Sequence, residues 1–288
     1  MKRCLALAAL LALACGTGAP RAAASPPPPP PSVAPEPSPS PHPLPSAPGS
    51  VFLIVMENQN FDQALKGPYT AELAAQYSLA TNYHAVTHPS LPNYLALTSG
   101  STWGIADDGY HRLPAGGLGA QLDQAGLSWK AYMEAMDRGC FNSGYPYALK
   151  HNPFAYYGGA CPANVVPLNR LEADLAAGAP RFVWITPDLC HDTHDCPVQA
   201  GDDFLAGLIP GLLASPAWQN HGLLLITWDE AFSADNRVPA ILVTPGVWKR
   251  QSDARYDHYS LLATVEDWLG LPRLALAGQA SAMRALVT

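Results

Sequence analysis

Charge is scarce in this 288-residue chain. Sixteen Lys and Arg stand against 23 Asp and Glu, charged residues make up 14 %, and the formal net charge is −7. No lysine/arginine cluster occurs, so the chain lacks the basic footprint of a nucleic-acid reader, and no nucleic-acid partner is expected. There is no Cys-x-x-Cys, which argues against a thiolate metal site. Nor is there a Gly-x-Ser-x-Gly elbow: the nearest string, Gly100-Ser-Thr-Trp-Gly104, has Thr at the nucleophile position. Internal repeats are absent, and no apolar run after the first residues is long enough to cross a bilayer.

Two segments at the start stand apart in composition. Lys2 and Arg3 precede the apolar run 5–14, which is too short to span a membrane and fits the hydrophobic region of a secretory signal. Residues 12–15, Ala-Leu-Ala-Cys, resemble a lipobox ending at Cys15, while Ala22-Ala-Ala24 offers a conventional cleavage site. Either way the expectation is export, as a cell-surface lipoprotein tethered to the membrane through Cys15 or as a secreted or periplasmic protein. Residues 25–48 are dominated by proline with Ser and Ala between, a composition for an extended spacer rather than a core. The division expected is therefore a signal peptide over 1–24, a linker over 25–48 and a folded domain over 49–288.

Cys140, Cys161, Cys190 and Cys196 remain once Cys4 and Cys15 are assigned to the leader. Four cysteines in an exported protein predict disulfides, with three pairings open. Sequence proximity favours Cys140–Cys161 and Cys190–Cys196. A loop of about twenty residues closed in this way contributes roughly 3 kcal/mol in the chain-entropy picture. A zinc site in Cys190-His-Asp-Thr-His-Asp-Cys196 is the rival reading.

Strand-like apolar runs at 51–56, 128–133, 181–186, 222–228 and 239–244 alternate with helix-like segments at 69–76, 92–99, 117–125, 167–176, 202–214 and 259–269. The runs at 51–56 and 223–228 are continuously apolar, as central strands of a parallel sheet covered on both faces are. The fold class expected is α/β, a three-layer α/β/α arrangement around a mostly parallel sheet. Segments 103–116 and 137–165 are rich in Gly, Pro, Tyr and Asn and read as long loops.

The two continuous strands each end in a pair of oxygen donors, Glu57-Asn58 and Asp229-Glu230. Ligands of open α/β sheets sit beyond the carboxyl ends of the strands, and buried carboxylates are costly there unless a cation lies between them. Hard oxygen donors suit one divalent ion such as Mg²⁺, Ca²⁺ or Mn²⁺. The bland alternative is four solvated strand-end residues. In Thr87-His-Pro-Ser-Leu-Pro-Asn-Tyr94, Ser90 falls where a helix begins. It is either an N-cap or, beside a metal, a nucleophile at a helix start that attracts an anion. Asn93 would donate to a phosphoryl oxygen or pack locally. His88, in the same loop, and His151, His194 and His258 are candidates for phosphate contact, metal ligation or general acid work, or are ordinary surface histidines.

Together these strings resemble the bacterial phosphoesterase family of non-specific phospholipases C and acid phosphatases, within the alkaline phosphatase superfamily. The likeness covers nearly all of 50–272. It is carried by Glu57-Asn58-x-x-Phe61, His88-Pro-Ser-x-Pro-Asn-Tyr94, Lys150-His-Asn-Pro153, Asp192-x-His194, Trp228-Asp-Glu230 and His258-Tyr-Ser-Leu-Leu262. Ser90-Leu-Pro-Asn93 also resembles the Thr-x-Pro-Asn of nucleotide pyrophosphatase/phosphodiesterase relatives. The resemblance implies an alkaline-phosphatase-like fold and a divalent metal on Glu57, Asn58, Asp229 and Glu230. It implies Ser90 as the phosphorylated nucleophile, with His151, His194 and His258 around the phosphoryl or leaving group. His88, Asn93 and Lys150 would bind substrate. Departures are Asp188 and His191, where the family often has Asn, and the missing Asp-x-x-x-His pair of the two-zinc members. One hard metal is therefore expected.

The reaction expected is metal-assisted hydrolysis of a small-molecule or lipid phosphoester through a seryl phosphate, as in an acid phosphatase or a phospholipase C. A metal-free serine esterase using Ser90, and a non-catalytic surface lipoprotein that binds a phosphorylated ligand, are the rival readings.

Overall fold

The computed structural model describes residues 49–288; the expected signal peptide, Cys15 and proline-rich linker lie outside the described residues. Ten strands occur among the described residues: β1 Val51–Met56, β2 Ser78–Ala80, β3 Tyr83–His84, β4 Trp129–Met133, β5 Val165–Pro167, β6 Phe182–Thr186, β7 Leu223–Trp228, β8 Ala240–Val243, β9 Arg250–Ser252 and β10 Tyr256–Asp257. The helices are α1 Phe61–Ala64, α2 Pro68–Gln76, α3 Ser90–Ser99, α4 Gly117–Gln124, α5 Leu171–Ala176, α6 Val198–Ala214, α7 Pro216–Gln219 and α8 His258–Leu269.

Eight strands form one sheet in the order β5-β4-β6-β1-β7-β8-β2-β9. Only β8 runs antiparallel to its neighbours; the pairings from β5 across to β7 are parallel. β3 and β10 make a separate parallel pair. All six residues of β1 and of β7 are buried, which is why these strands read as unbroken apolar runs rather than as an alternation. The five long strands fall where the apolar runs place them. The short strands β2, β3, β5, β9 and β10 have no counterpart in the sequence pattern, because two or three residues carry no period.

Side-chain alternation sorts the helices into two layers. Leu53 of β1 is paired with Trp184 of β6, and the Trp184 ring lies 6.1 Å from that of Tyr94 in α3. Met56, on the opposite face of β1, reaches α6 at Gly201. The three-layer α/β/α expectation therefore holds, with α3 and α8 packed together on one face and α2 and α6 on the other.

Helix α3 is buried along its whole length. It stops at Gly100, whose φ of +68° is left-handed and where an added Cβ would stand 2.4 Å from the Leu274 carbonyl oxygen, so only glycine fits both demands. The loop 137–165 is pinned by the Cys140–Cys161 disulfide and the 190–196 turn by Cys190–Cys196. These are the pairings favoured by proximity, and they overturn the zinc reading because the thiols are consumed.

On the α6 side the fold is tied by Asp202. Its buried carboxylate accepts from the amides of Tyr69 and Thr70 at 3.0 and 2.7 Å and from Thr70 Oγ1 at 2.7 Å, holding the first turn of α2 against α6. Asp202→Ala leaves those buried donors unmatched. It should lower the unfolding free energy by about 1–3 kcal/mol in a urea titration; a change within about 0.5 kcal/mol would show that water replaces the carboxylate.

Candidate active site

The register of the two central strands builds the site. Met56 is paired with Trp228, so the next residues, Glu57 and Asp229, emerge side by side at the carboxyl edge of the sheet. Both are fully buried. Asn58 adopts a φ of +39°, and its amide donates to Asp229 Oδ1 at 3.2 Å. The amide of Glu230 also donates to Asp229 Oδ1, at 2.6 Å.

Ser90 opens α3 against this edge. Its buried hydroxyl lies 3.1 Å from Glu57 Oε2 and 3.3 Å from Glu230 Oε1, and with one proton it donates to one at a time. Lys150 Nζ approaches Ser90 Oγ at 3.4 Å and is held by Asp108 Oδ2 at 3.0 Å. The other oxygen of Asp108 accepts from the Leu91 amide at 3.0 Å, so Asp108 ties the lysine to the start of the serine's helix. His88 pairs through Nδ1 with Glu230 Oε2 and is otherwise half exposed. The sequence-predicted metal residues, Ser90, His88 and Lys150 thus converge on one locus.

The remaining histidines divide. His151 is buried, stacked on Tyr94 at 5.3 Å, with Nε2 3.1 Å from Glu57 Oε1 and Nδ1 3.2 Å from Asp192 Oδ2. Those approaches are off line, so both ring nitrogens lack a hydrogen-bond partner among the described residues. Burial, then Lys150 and His194, push its pKa well below the usual value, and the ring is neutral. His194 sits at the mouth, with Nδ1 2.7 Å from Asp195 Oδ1 and Nε2 3.5 Å from Lys150 Nζ.

His258 lies behind the site. Its Nε2–H donates to the Asp229 carbonyl at 2.6 Å, and Nδ1 meets the Tyr83 hydroxyl at 2.7 Å. Burial lowers its pKa to about 4, and neither nitrogen is free to face a substrate. Asn93 is committed as well. Its Oδ1 accepts from the amides of Val86 and Thr87, and Nδ2 donates to the carbonyls of Thr87 and Pro89, at 2.8–3.2 Å. It shapes the serine loop rather than pointing an amide at the mouth.

Three contributors carry no role in the sequence reading. Tyr94 donates its hydroxyl to Glu57 Oε1 at 2.6 Å, Asp192 faces His151, and Asp108 anchors Lys150. Tyr94 and Asp192 stand inside the family motifs and are legible there. Asp108 belongs to a loop with no periodic or motif signal, and only the fold carries it to the lysine. Asp188 and His191 form a separate group with Glu134 at the end of β4. His191 Nδ1 is 3.0 Å from Glu134 Oε1 and 3.7 Å from Asp188 Oδ1. Ligand atoms of the three lie within 4.8 Å of one another, a second grouping that could hold a cation, and Glu134 Oε2 and Asp188 Oδ1 accept from the amides of Asp188, Cys190 and His191.

The electrostatics ask for a cation. Burial, followed by Asp229 and Asp192, raises the Glu57 pKa well above the carboxylate range. Burial lifts Asp192 to about 8, Asp229 to about 7 with Glu230 as the next cause, and Glu230 itself to about 7. Burial alone would lower Lys150, yet the carboxylates of Glu57, Asp108 and Asp229 outweigh it and keep the ammonium charged. Asn58 Oδ1 and Asp229 Oδ2 are buried oxygens without a hydrogen-bond donor among the described residues. Orphaned hard oxygens beside crowded carboxylates fit a divalent cation.

The sequence profile of the Phosphoesterase family matches residues 63–272. This chain belongs to the Phosphoesterase family. Among its relatives, an acid phosphatase of Aspergillus fumigatus is 31 % identical over 248 residues, covering 77 % of this chain and 55 % of that protein. A phosphatidylinositol-3-phosphatase of Mycobacterium tuberculosis is 30 % identical over 241 residues, covering 79 % of each. The chain spans little more than half the length of the fungal relatives it matches, 55 to 59 %. By fold it is similar to an alkaline phosphatase superfamily protein from Vibrio parahaemolyticus, with a TM-score of 0.59 at 13 % identity over 81 % of this chain and 69 % of that one. It is also similar to a phosphonate monoester hydrolase of Agrobacterium radiobacter, with a TM-score of 0.56 at 14 % identity over 83 % and 77 %. The alkaline-phosphatase-like architecture expected for the family is the one present.

The raised carboxyl pKa values carry a stability consequence. Asp192, Asp229 and Glu230 hold protons in the folded state to pH 7–8 but ionise near pH 4 when unfolded. Their contribution is therefore full at low pH and is lost as pH rises toward 8. The neutral histidines act oppositely, but only below about pH 6.5. Between pH 6.5 and 8 the metal-stripped protein should thus lose several degrees of Tm, and excess Mg²⁺, Ca²⁺ or Mn²⁺ should restore them most strongly at pH 8. Thermal scans showing a flat profile and no metal response would contradict this reading of the site.

Proposed function

We propose that this chain hydrolyses phosphate esters through a seryl phosphate on Ser90. The observation that carries the proposal is the setting of that hydroxyl. It lies buried at a helix start, within 3.1–3.4 Å of two carboxylates and an ammonium. Family membership and relatives named as phosphatases support the reaction class. A divalent ion held by Glu57, Asn58, Asp229 and Glu230 would lower the hydroxyl pKa and neutralise phosphoryl charge.

The chain's own residues take the other roles. With its proton given up to solvent, Ser90 Oγ attacks phosphorus in line as the P–O bond to the alcohol breaks, and it departs as the same alkoxide when water frees phosphate. Lys150, kept charged, pairs with a phosphoryl oxygen and is aimed by Asp108. His194 gives its proton to the departing alkoxide. Asp195 at Nδ1 orients the ring for this transfer. The neutral imidazole then accepts a proton from the water that frees phosphate from Ser90. His88, half exposed and paired with Glu230, is placed to contact substrate. His258 acts through another by fixing the Asp229 backbone, while His151, with both ring nitrogens unpaired beside Glu57 and Asp192, keeps them free for a phosphoryl oxygen or a proton. Asn93 holds the loop that carries Ser90.

The same reading takes the chain as an exported protein, for which two disulfides are fitting, with a membrane tether through Cys15 as one form of export. Lipid and small-molecule phosphoesters are both within the proposal.

The test is phosphate release from an aryl phosphate across pH 5–9, comparing the purified protein with Ser90→Ala, each with and without EDTA. Loss of activity in the variant and on chelation, with recovery on added divalent metal, is expected. Turnover that survives both treatments would sink the seryl-phosphate mechanism. Carboxyl-ester turnover indifferent to EDTA would favour a serine esterase instead. An inert protein that still binds phosphate would favour a binding function.

A further inference from the structure

Four exposed aromatic side chains stand on the loops that carry the site residues. Phe232, 67 % exposed, is two residues beyond Glu230, and its amide donates to Asn60 Oδ1 at 2.9 Å, next to the Glu57-Asn58 pair. Tyr145 is 73 % exposed, and its hydroxyl lies beside Asp195, the partner of His194. Tyr110, 47 % exposed, is two residues beyond Asp108, the anchor of Lys150. Its ring meets Phe141, itself 41 % exposed, edge-on at 5.4 Å and Tyr156 at 5.2 Å. Single exposed apolar residues need no explanation. Four on three separate loops, each of which also carries a residue of the polar, carboxylate-lined centre, are a different matter, because they leave apolar area in water on the segments that hold a ligand site.

We infer that these rings, resting on the phosphoester hydrolysis proposed above, form a specificity rim for the alcohol half of the substrate and select monoesters of planar, apolar alcohols, aryl phosphates in chemical terms. The anionic centre takes the phosphoryl group, and the leaving group projects outward past His194, between Tyr145 on one side and Phe232 on the other. A flat apolar ring gains area burial and offset or edge-to-face contacts there. A hydrated polyol would gain neither. A lipid bilayer is the other surface that exposed aromatics suit, but the same loops carry Asp107, Asp195 and Asp235, which oppose the approach of an anionic membrane. A soluble aromatic leaving group is therefore the occupant that the charge pattern favours.

The experiment has a binding arm and a kinetic arm. By calorimetry on the metal-loaded protein, phenylphosphonate should bind at least several-fold more tightly than methylphosphonate. Tyr145→Ser and Phe232→Ser should each erase most of that preference while leaving methylphosphonate binding unchanged. Tyr145→Phe, which keeps the ring and loses only the hydroxyl beside Asp195, should retain it. In turnover, Phe232→Ser should raise KM for phenyl phosphate several-fold, with kcat and the KM for glycerol 2-phosphate unaltered, and Tyr145→Ser should raise the KM for phenyl phosphate several-fold over that of Tyr145→Phe. Equal affinity for the two phosphonates in the parent protein, or equal losses on both substrates in the variants, would overturn the rim. So would variants that are impaired only on a phosphoinositide presented in vesicles, which would assign the rings to a membrane. The binding arm separates the two proposals, since an inert protein that still prefers phenylphosphonate would refute the hydrolytic reading and keep the rim.

Discussion

The site is organised around an unbalanced burial of negative charge. Glu57, Asp192, Asp229 and Glu230 are all withdrawn from water at one edge of the sheet, and among the described residues the Lys150 ammonium acts on Glu57, Asp229 and Glu230. Coulomb repulsion between neighbouring carboxylates, in a medium less polar than water, is about 4 kcal/mol at 4 Å, a sizeable fraction of the roughly 5–15 kcal/mol by which a domain is stable. Protonation relieves it, and so does a cation. The raised carboxyl pKa values and the unpaired oxygens of Asn58 and Asp229 are two expressions of that one constraint. The hydroxyl of Ser90 sits where the relief must act.

Such a centre has to be held rigidly, and the surrounding structure does so by filling the hydrogen-bonding capacity of the groups around it. Tyr94 and Thr193 fix the two ends of Glu57, the hydroxyl of the first on the side chain and that of the second on the carbonyl. His258 grips the backbone of Asp229 from behind. Asn93 closes the serine loop with four hydrogen bonds to backbone groups. None of these residues offers a free atom to substrate, yet each sets the position of one that does. A histidine or asparagine inside a family motif is therefore as apt to be a brace as a reactant, and only its partners distinguish the two.

The loops divide the labour differently. Cys140–Cys161 and Cys190–Cys196 pin the two segments that bring Lys150, His151, Asp192 and His194 over the sheet edge. Segments of this length without regular structure would otherwise sample many conformations, and a proton donor must stay within hydrogen-bond reach of its target. Phe141 and Tyr145 lie on the first of these loops, Tyr110 on the 103–116 loop and Phe232 on the turn after Glu230. The polar chemistry thus belongs to the sheet edge and α3, and discrimination between alcohols to the rim.

The amino-acid sequence by itself determined the long strands, since an unbroken run such as Val51-Phe-Leu-Ile-Val55 has no stable place except between two covering layers. It also determined the oxygen pairs that follow those strands, the serine at a helix start and the family, because each is a local pattern of a few adjacent residues. Tertiary structure alone decided what those residues face. The pairing of Met56 with Trp228 makes neighbours of Glu57 and Asp229, which are remote in sequence. Asp108 reaches Lys150 across 42 residues, and His258 turns inward to Tyr83 and the Asp229 carbonyl rather than outward to the mouth. Such contacts follow from where the chain ends up after the core has packed, and the residues that make them carry no periodicity or motif to announce the partner.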